Sequence, residues 1–281
     1  MHIGIVGLGL IGGSLALDWQ RAGHTVTGVS RQAKTVALAL ERGAIDRGGT
    51  DLSLVSTCRV VVLCVPLHQM VPVAQALCPY LRTDAILTDV GSVKAPLVRT
   101  LTPLWPGFIG GHPMAGTEQQ GIEAAQPGLF RQRPYVLTPT PQTNAQQLAR
   151  LEQLVTELDA QVLICDAETH DRAVAWISHL PIWVSAALIA ACAQESDPQV
   201  ARLAQQLAGP GWRDTTRVGG GNPELGVCLA QFNREYLLQG LRRYLAELSQ
   251  IIQMVEKQDL PALTTYLQDT QQLRQGMTLP P

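Results

Sequence analysis

The sequence predicts an α/β fold: a Rossmann domain with a doubly wound, mostly parallel sheet, followed by an all-α domain. Over the first half of the chain, short runs of Val, Ile and Leu alternate with helical patterns, which is the arrangement of parallel βαβ units. From about residue 167 the strand-like runs give way to helical periodicity. A chain of 281 residues is long enough for two cores, so we divide it into residues 1–166 and 167–281.

The predicted strands of the first domain are short and apolar, as strands buried on both faces of a sheet are. They cover residues 2–6, 26–30, 60–65, 85–89, 108–110, 135–138 and 162–165. A helix over 10–22 follows the first strand and ends at Gly23, which adopts the positive φ of a C-terminal cap at little cost. In the second domain the periodicity predicts helices over 170–193, 198–208, 222–253 and 261–274.

Composition excludes several classes of function. The net charge is -2, and no block of Lys or Arg forms a basic stripe, so we expect no nucleic-acid partner. The six cysteines show no C-x-x-C spacing, and no His/Cys cluster has the spacing of metal ligands, so we expect reduced thiols, a cytoplasmic protein and no metal. No basic leader followed by an apolar run opens the chain, which predicts no export signal.

One apolar span, residues 173–193, lacks Asp, Glu, Lys and Arg and is long enough to cross a bilayer. It contains Ser178, His179, Pro181 and Ser185, which are unfavourable in the interior of a membrane. We therefore expect a helix at a domain or subunit interface and no membrane partner.

A glycine-rich turn between the first strand and the first helix predicts a dinucleotide site. It has the G-x-G-x-x-G spacing in the context of strand, turn and helix, and its residues are Gly7, Gly9, Leu10, Ile11 and Gly12. The first glycine permits the tight turn, the second lets pyrophosphate approach the backbone, and the third lets the helix pack closely on the strand. A purely structural glycine turn is the alternative.

The end of the second strand predicts NADP as the cofactor. NAD-binding proteins usually place Asp or Glu there, and that carboxylate would repel a 2′-phosphate. This chain has Ser30 and Arg31, with Lys34 one turn further on. A hydroxyl and a guanidinium fork suit a phosphate, whereas the alternative is that Arg31 and Lys34 are simply solvated.

Three further segments contain candidate site residues. Two of them follow predicted strands, where open α/β sheets bind ligands, and they contain Cys64, Pro66 and Ser92. The alternative is that Ser92 caps a helix and that Lys94 is a surface charge. In the third segment, GGHPMAG, glycines flank His112 and allow close backbone approach in a predicted loop. Histidine has an ordinary pKa of about 6.5, so a neutral imidazole can accept a hydroxyl proton.

Five motifs in this order resemble the prephenate/arogenate dehydrogenase family, and within it the cyanobacterial arogenate dehydrogenases: VGLGLIGGS, DVGSVK, GGHPMAGT, ISHLP and RDTTRVGGGNPELG. The resemblance extends to about residue 250. It implies that hydride leaves C4 of a cyclohexadienol for the nicotinamide while the hydroxyl loses its proton and CO2 departs as the ring becomes aromatic. It also implies a homodimer formed through the helical domain.

The resemblance also implies roles for single residues. His112 acts as the base on the ring hydroxyl of the substrate, and Ser92 positions the imidazole and that hydroxyl. Arg217 binds a substrate carboxylate, and Ser178 and His179 contribute to substrate binding. From its spacing alone, Arg217 can instead form an ion pair with Asp214.

Two features favour arogenate as the substrate. Many prephenate-using relatives extend SHLP to SHLPH, whereas this chain has Ile182 in place of the final histidine. The second feature is the pair Ser30 and Arg31, which favours NADP. Prephenate use or dual specificity is the alternative substrate assignment. A β-hydroxyacid dehydrogenase, which uses a lysine of the helical region, is disfavoured because no lysine lies between Lys94 and Lys257. A protein that keeps the fold and senses NADP without chemistry is a third alternative.

Overall fold

A computed structural model describes residues 1–277. The chain divides into two compact units, Met1–Asp171 and Arg172–Pro281. The first unit contains an eight-stranded sheet flanked by helices, and the described part of the second is helical. The predicted fold class, a mostly parallel Rossmann-type sheet followed by a helical region, is confirmed.

The sheet has the strand order β3-β2-β1-β4-β5-β6-β7-β8. The strands are β1 His2–Val6, β2 Thr25–Val29, β3 Arg47–Gly49, β4 Val60–Leu63, β5 Ile86–Asp89, β6 Phe108–Pro113, β7 Pro134–Thr138 and β8 Gln161–Ile164. Strands β1 to β6 run parallel, β7 is antiparallel to β6, and β8 is parallel to β7. The chain order reverses between β1 and β4, where open α/β sheets bind their ligands.

The helices of the first unit are α1 Leu10–Arg21, α2 Ala33–Glu41, α3 Leu67–Leu77, α4 Ala95–Leu104, α5 Ala145–Thr156 and the first part of α6 Ala167–Val174. Buried side chains of α1, α2 and α5 form one apolar cluster with the sheet. Those of α3 and α4 form a second cluster. Both faces of the central strands are therefore covered, which explains why β1, β4 and β5 are buried over nearly their whole length.

In the second unit, α6 continues into a π-helical turn, Ala175–His179, and then into α7 Leu180–Cys192. The remaining helices are α8 Pro198–Leu207, α9 Pro210–Thr216, α10 Pro223–Phe232, α11 Arg234–Glu256 and α12 Leu260–Gly276. The prediction of one helix over 222–253 is wrong, because Asn233 leaves the helical region at φ -117° and ψ 35° and separates α10 from α11. Helix α9 was not predicted.

One helical stretch, Ala167–Cys192, is long and apolar enough to cross a membrane, and 28% of its most apolar window is buried in the single chain. One such stretch is weak support for a membrane span, because core helices of soluble proteins have the same length and composition. That this stretch is a helix at a domain or subunit interface stays a prediction.

Candidate active site

The glycine turn after β1 has the geometry that a dinucleotide site requires. Gly7 has φ +104°, and a Cβ there would lie 2.3 Å from the carbonyl oxygen of Cys64. A Cβ on Gly12 would lie 2.0 Å from the carbonyl oxygen of Gly7, so α1 can pack this closely on β1 only with glycine. A Cβ on Gly9 would meet no atom within 4 Å. The open space at Gly9, directly before α1, leaves room for pyrophosphate at a helix N-terminus.

Leu10 and Ile11 form the first turn of α1, and Gly9 is its N-cap residue with no side chain capping the helix. Cys64 and Pro66 lie between β4 and α3, and Gly7 packs on the backbone of Cys64. The predicted cofactor residues of these two segments therefore lie at one edge of the sheet. This arrangement fits a dinucleotide.

Past the end of β2, Ser30 is half-buried and Arg31 and Lys34 are exposed. The Ser30 hydroxyl accepts a hydrogen bond from the Gln32 amide at 3.4 Å. A cavity of about 210 Å³ lies beside this segment, with Leu8, Gln32, Lys34, Thr35, Leu38 and residues 121–123 in its lining. The lining includes Lys34 and Glu123, two residues of opposite charge.

A buried ion pair fixes the turn between β5 and α4. Lys94 and Asp89 are both 0% exposed, and the Lys94 ammonium donates to the Asp89 carboxylate and, at 2.7 Å, to the carbonyl oxygen of Gly111. Burial lowers the pKa of Lys94, and the charge of Asp89 acts against that shift. The alternative of Lys94 as a surface charge is therefore wrong. Ser92 is half-buried in this turn and is not the N-cap of α4, a position that Lys94 occupies.

His112 lies inside strand β6, so its prediction as a loop residue is wrong. The strand runs three residues further than predicted because residues 110–113 pair with β7, His112 opposite Val136. The glycines do allow close approach, as predicted. A Cβ on Gly111 would lie 2.6 Å from the Asp89 carbonyl oxygen, and one on Gly110 would lie 2.4 Å from the Thr138 hydroxyl. His112 therefore has a fixed backbone and a side chain that is 7% exposed.

Two buried residues of α6, neither of them predicted from the sequence, form a line of contacts with His112. His112 Nδ1 lies 2.8 Å from His170 Nε2, and His170 Nδ1 lies 2.7 Å from Asp171 Oδ1. No spacing in the sequence reveals this contact, because 58 residues separate the two histidines. The one available sign was a His-Asp pair at the start of a predicted helix, which is a common surface sequence.

The predicted substrate residues Ser178, His179 and Arg217 lie in the second unit. Ser178 and His179 belong to the π-helical turn, a feature frequent at functional sites. His179 is 0% exposed, and its Nδ1 accepts a hydrogen bond from the Asn233 amide at 3.0 Å. Asn233 thus holds the histidine from the junction between α10 and α11.

Arg217 is exposed and begins a 3₁₀ turn, Arg217–Gly220. This turn packs tightly on α7, because the Gly219 amide donates to the Ser185 hydroxyl at 2.9 Å and a Cβ on Gly219 would lie 2.4 Å from the Ala186 nitrogen. Asp214, the alternative ion-pair partner of Arg217, forms an exposed ion pair with Arg213 at 3.5 Å. No group of three or more His, Cys, Asp or Glu among residues 1–277 has the geometry of a metal site.

Comparisons with known proteins agree with this geometry. The model of the prephenate dehydrogenase nucleotide-binding domain matches residues 15–164, and that of the prephenate dehydrogenase dimerization domain matches residues 166–269. A cyclohexadienyl dehydrogenase of Zymomonas mobilis is 33% identical over 97% of this chain and 94% of its own length.

Two solved structures are similar over nearly the whole chain. Arogenate dehydrogenase of Synechocystis is 50% identical, with a TM-score of 0.89 over 98% of this chain and 99% of that one. Prephenate dehydrogenase of Aquifex aeolicus, solved in complex with hydroxyphenyl propionate and NAD+, is 28% identical, with a TM-score of 0.91 over 98% and 97% of the two chains. The sequence motifs, the glycine turn and these matches together show that the chain is an oxidoreductase of the prephenate/arogenate dehydrogenase family.

Proposed function

We propose that the protein converts arogenate to tyrosine, CO2 and NADPH by NADP-dependent oxidative decarboxylation. The observation that carries this proposal is the 50% identity to Synechocystis arogenate dehydrogenase over 98% of the chain. This similarity covers both domains of the chain. Ile182 in place of the histidine of many prephenate-using relatives supports the same substrate.

The proposed cofactor residues are those of the glycine turn and the two segments beside it. The open space at Gly9 and the positive φ of Gly7 fit a pyrophosphate. Ser30, Arg31 and Lys34 follow β2, and their hydroxyl and cationic groups suit a 2′-phosphate better than ribose hydroxyls alone. When bound, the nicotinamide would accept the hydride from C4 of the substrate.

The protein residues supply proton transfer and orientation. His112 accepts the proton of the C4 hydroxyl, and its fixed position in β6 lowers the entropic cost of reaching the reactive geometry. Ser92, in the turn after β5, orients the hydroxyl and the imidazole. Arg217 binds a carboxylate through its guanidinium fork, and Ser178 and His179 contact the substrate.

Prephenate dehydrogenation, alone or beside arogenate use, is the second candidate function. Prephenate differs from arogenate in carrying a keto acid side chain instead of an amino acid. The observation in its favour is the similarity to a cyclohexadienyl dehydrogenase of Zymomonas mobilis and a prephenate dehydrogenase of Bacillus subtilis, at 33% and 30% identity.

We further propose that the protein is a cytoplasmic homodimer. Each chain would consist of an NADP-binding domain, residues 1–166, and a helical domain, residues 167–281. The division lies between the end of β8 at Ile164 and the start of α6 at Ala167, whereas the boundary between the two compact units lies within α6, after Asp171. The match to a dimerization domain and the exposed apolar side chains of the helical unit support the dimer.

A two-by-two assay tests the proposal. Purified protein is given arogenate or prephenate, each with NAD or NADP, and reduced cofactor is followed by its absorbance. We expect the highest kcat/KM with arogenate and NADP. Comparable values for prephenate would establish dual specificity, and activity with prephenate alone would reject arogenate as the substrate. No activity in any of the four combinations would contradict the proposed function itself.

A further inference from the structure

A continuous line of hydrogen bonds joins His112 to a buried carboxylate. His112 Nδ1 is 2.8 Å from His170 Nε2, and His170 Nδ1 is 2.7 Å from Asp171 Oδ1. The three residues are 7%, 2% and 1% exposed. The two imidazole rings meet edge to face, at 73° between their planes. Each ring nitrogen in this line therefore faces a defined partner.

Two backbone amides donate hydrogen bonds to the side chain of Asp171. Its Oδ1 accepts a hydrogen bond from the Lys94 amide at 2.7 Å, and its Oδ2 accepts one from the Ala95 amide at 2.8 Å. These amides belong to the N-cap residue and the first residue of α4, where the helix dipole stabilises negative charge. An ionised carboxylate only accepts hydrogen bonds, so His170 Nδ1 must carry the hydrogen between them.

The positions of the other ring hydrogens of His170 and His112 follow from the hydrogen on His170 Nδ1. With hydrogen on Nδ1, a neutral His170 has an acceptor at Nε2, so the hydrogen in the contact between the histidines belongs to His112 Nδ1. His112 Nε2 then carries a lone pair. This is the tautomer that a general base requires if Nε2 faces the proton to be removed.

We propose that His170, oriented by Asp171, is a positioning residue that fixes this tautomer of His112 and takes up the charge when His112 receives a proton. The inference rests on the proposed function, in which His112 is the base. The proton of the substrate hydroxyl binds His112 Nε2, and the Nδ1 proton of His112 moves to His170 Nε2. One proton has then entered the pair, and the imidazolium of His170 lies beside the Asp171 carboxylate. The reverse transfers release that proton from Nε2 to water after the product leaves.

Several other ionisable groups lie near the pair, and they are paired or neutral. Lys94 is neutralised by Asp89, with which it shares a buried ion pair. On α6, Glu168 forms an exposed ion pair with Arg99. Partial burial and the charges of Asp166 and Asp171 raise the pKa of Cys165, which therefore stays a neutral thiol. Asp171 is the acidic group in direct contact with His170, beside which the transferred proton would lie.

Nitrogen-15 NMR of the histidine side chains in the full-length protein tests the inference without any substrate. In the wild type we expect hydrogen on Nδ1 of both His112 and His170, with assignments made from single-histidine variants. His170→Phe removes the acceptor, so His112 should shift toward the Nε2–H tautomer. His170→Gln offers an amide oxygen to His112 and an amide group to Asp171, and it should restore the Nδ1–H tautomer. Hydrogen on Nε2 of wild-type His112, or an unchanged tautomer in His170→Phe, would overturn the proposal.

Kinetics supply the second measurement. His170→Phe should lower kcat by between about 10-fold and 10⁴-fold, the range found when a histidine loses the partner that sets its tautomer, with the KM for NADP little changed. His170→Gln should recover part of kcat but, lacking an imidazole to take the charge, should move the acidic limb of the pH profile to lower pH. An acidic limb at the wild-type pH in His170→Gln would refute the charge transfer.

His24→Gln is the matched control, because His24 also pairs with a carboxylate, Glu157, in a different part of the unit. It should leave the His112 tautomer and the kinetics unchanged. If the wild type has the expected tautomers but oxidises neither arogenate nor prephenate, the proposed function fails while the assigned hydrogen-bond direction stands. If it is active with His112 in the other tautomer, the proposed function stands and the role of His170 fails.

Discussion

His112 shows how a single side chain can be prepared for proton transfer by its backbone. It lies in a strand paired with β7, and the two preceding glycines have no room for a side chain. The imidazole is held at Nδ1 by His170, so rotation about its side-chain bonds is restricted. Restricting the base before substrate binds lowers the entropic part of the barrier.

Replacing His112 by Asn tests its assignment as the base. Asparagine keeps a polar group of similar reach but cannot take up the proton, so kcat should fall by about 10²–10⁴-fold. NADP binding, followed by fluorescence titration, should change little because the cofactor residues are untouched. The acidic limb of the wild-type pH profile should disappear in the variant. Near-full turnover with the same acidic limb would mean that another group is the base.

We expect the choice between NADP and NAD to depend most on Arg31. Arg31→Ala removes a charge-assisted contact with the 2′-phosphate worth about 1.5–3 kcal/mol, so the KM for NADP should rise roughly 10- to 150-fold. The KM for NAD, which lacks that phosphate, should change far less. Arg131→Ala, another exposed arginine, is the control and should alter neither value. Equal effects of Arg31→Ala on both cofactors would reject NADP recognition by Arg31.

At the scale of elements, the buried Lys94 connects three parts of the first unit. Its ammonium joins the end of β5 to Gly111 of β6, and its amide joins α4 to Asp171 of α6. The strand that carries His112 is thereby held to the turn that carries Ser92. The ion pair is completely shielded from water, so the loss of one partner leaves an uncompensated charge.

Lys94→Met should therefore destabilise the protein by about 3–5 kcal/mol, measured by urea denaturation. Arg82→Met is the matched control, because it breaks the ion pair of Arg82 with Asp84 on the surface. Exposed pairs contribute about 0–1 kcal/mol, so the control should be nearly neutral. A Lys94→Met variant as stable as the control would show that the buried pair is dispensable.

Local sequence predicts the elements of the sheet well and the contacts of the site poorly. The apolar runs located seven of the eight strands, because strands buried on both faces require apolar residues in succession. Strand β3, with the sequence Arg-Gly-Gly, has no such pattern, and the extension of β6 through His112 depends on pairing with β7. The burial of Lys94 and the contact of His112 with His170 arise from tertiary packing, which leaves no local periodicity.

At the scale of the whole molecule, helix α11 has an apolar face that the single chain leaves exposed. Leu245, Leu248, Ile252 and Val255 are 64%, 37%, 55% and 57% exposed, at spacings of three, four and three residues. This spacing places them on one side of the helix, as in helices that pack against a partner. Exposed apolar area of this kind favours association with a second copy.

Ile252→Asp should weaken the proposed homodimer, because it places a charge in the centre of that face. Light scattering after size exclusion should give twice 30.4 kDa for the wild type and a larger monomer fraction for the variant. Leu40→Asp, at a 43% exposed position of α2, is the control and should remain dimeric. A monomeric wild type would contradict the homodimer, and a fully dimeric Ile252→Asp would place its interface elsewhere.

Strand β8 has a consequence for the solubility of the protein. It is the last strand of the sheet, and its Leu163 and Ile164 are 51% and 50% exposed. An outer strand presents backbone amides and carbonyls that an extended segment of another chain can pair with, and exposed aliphatic side chains strengthen such pairing. The four residues of β8 limit the number of these bonds. At high protein concentration, we expect intermolecular β-structure and aggregation to begin at this edge strand.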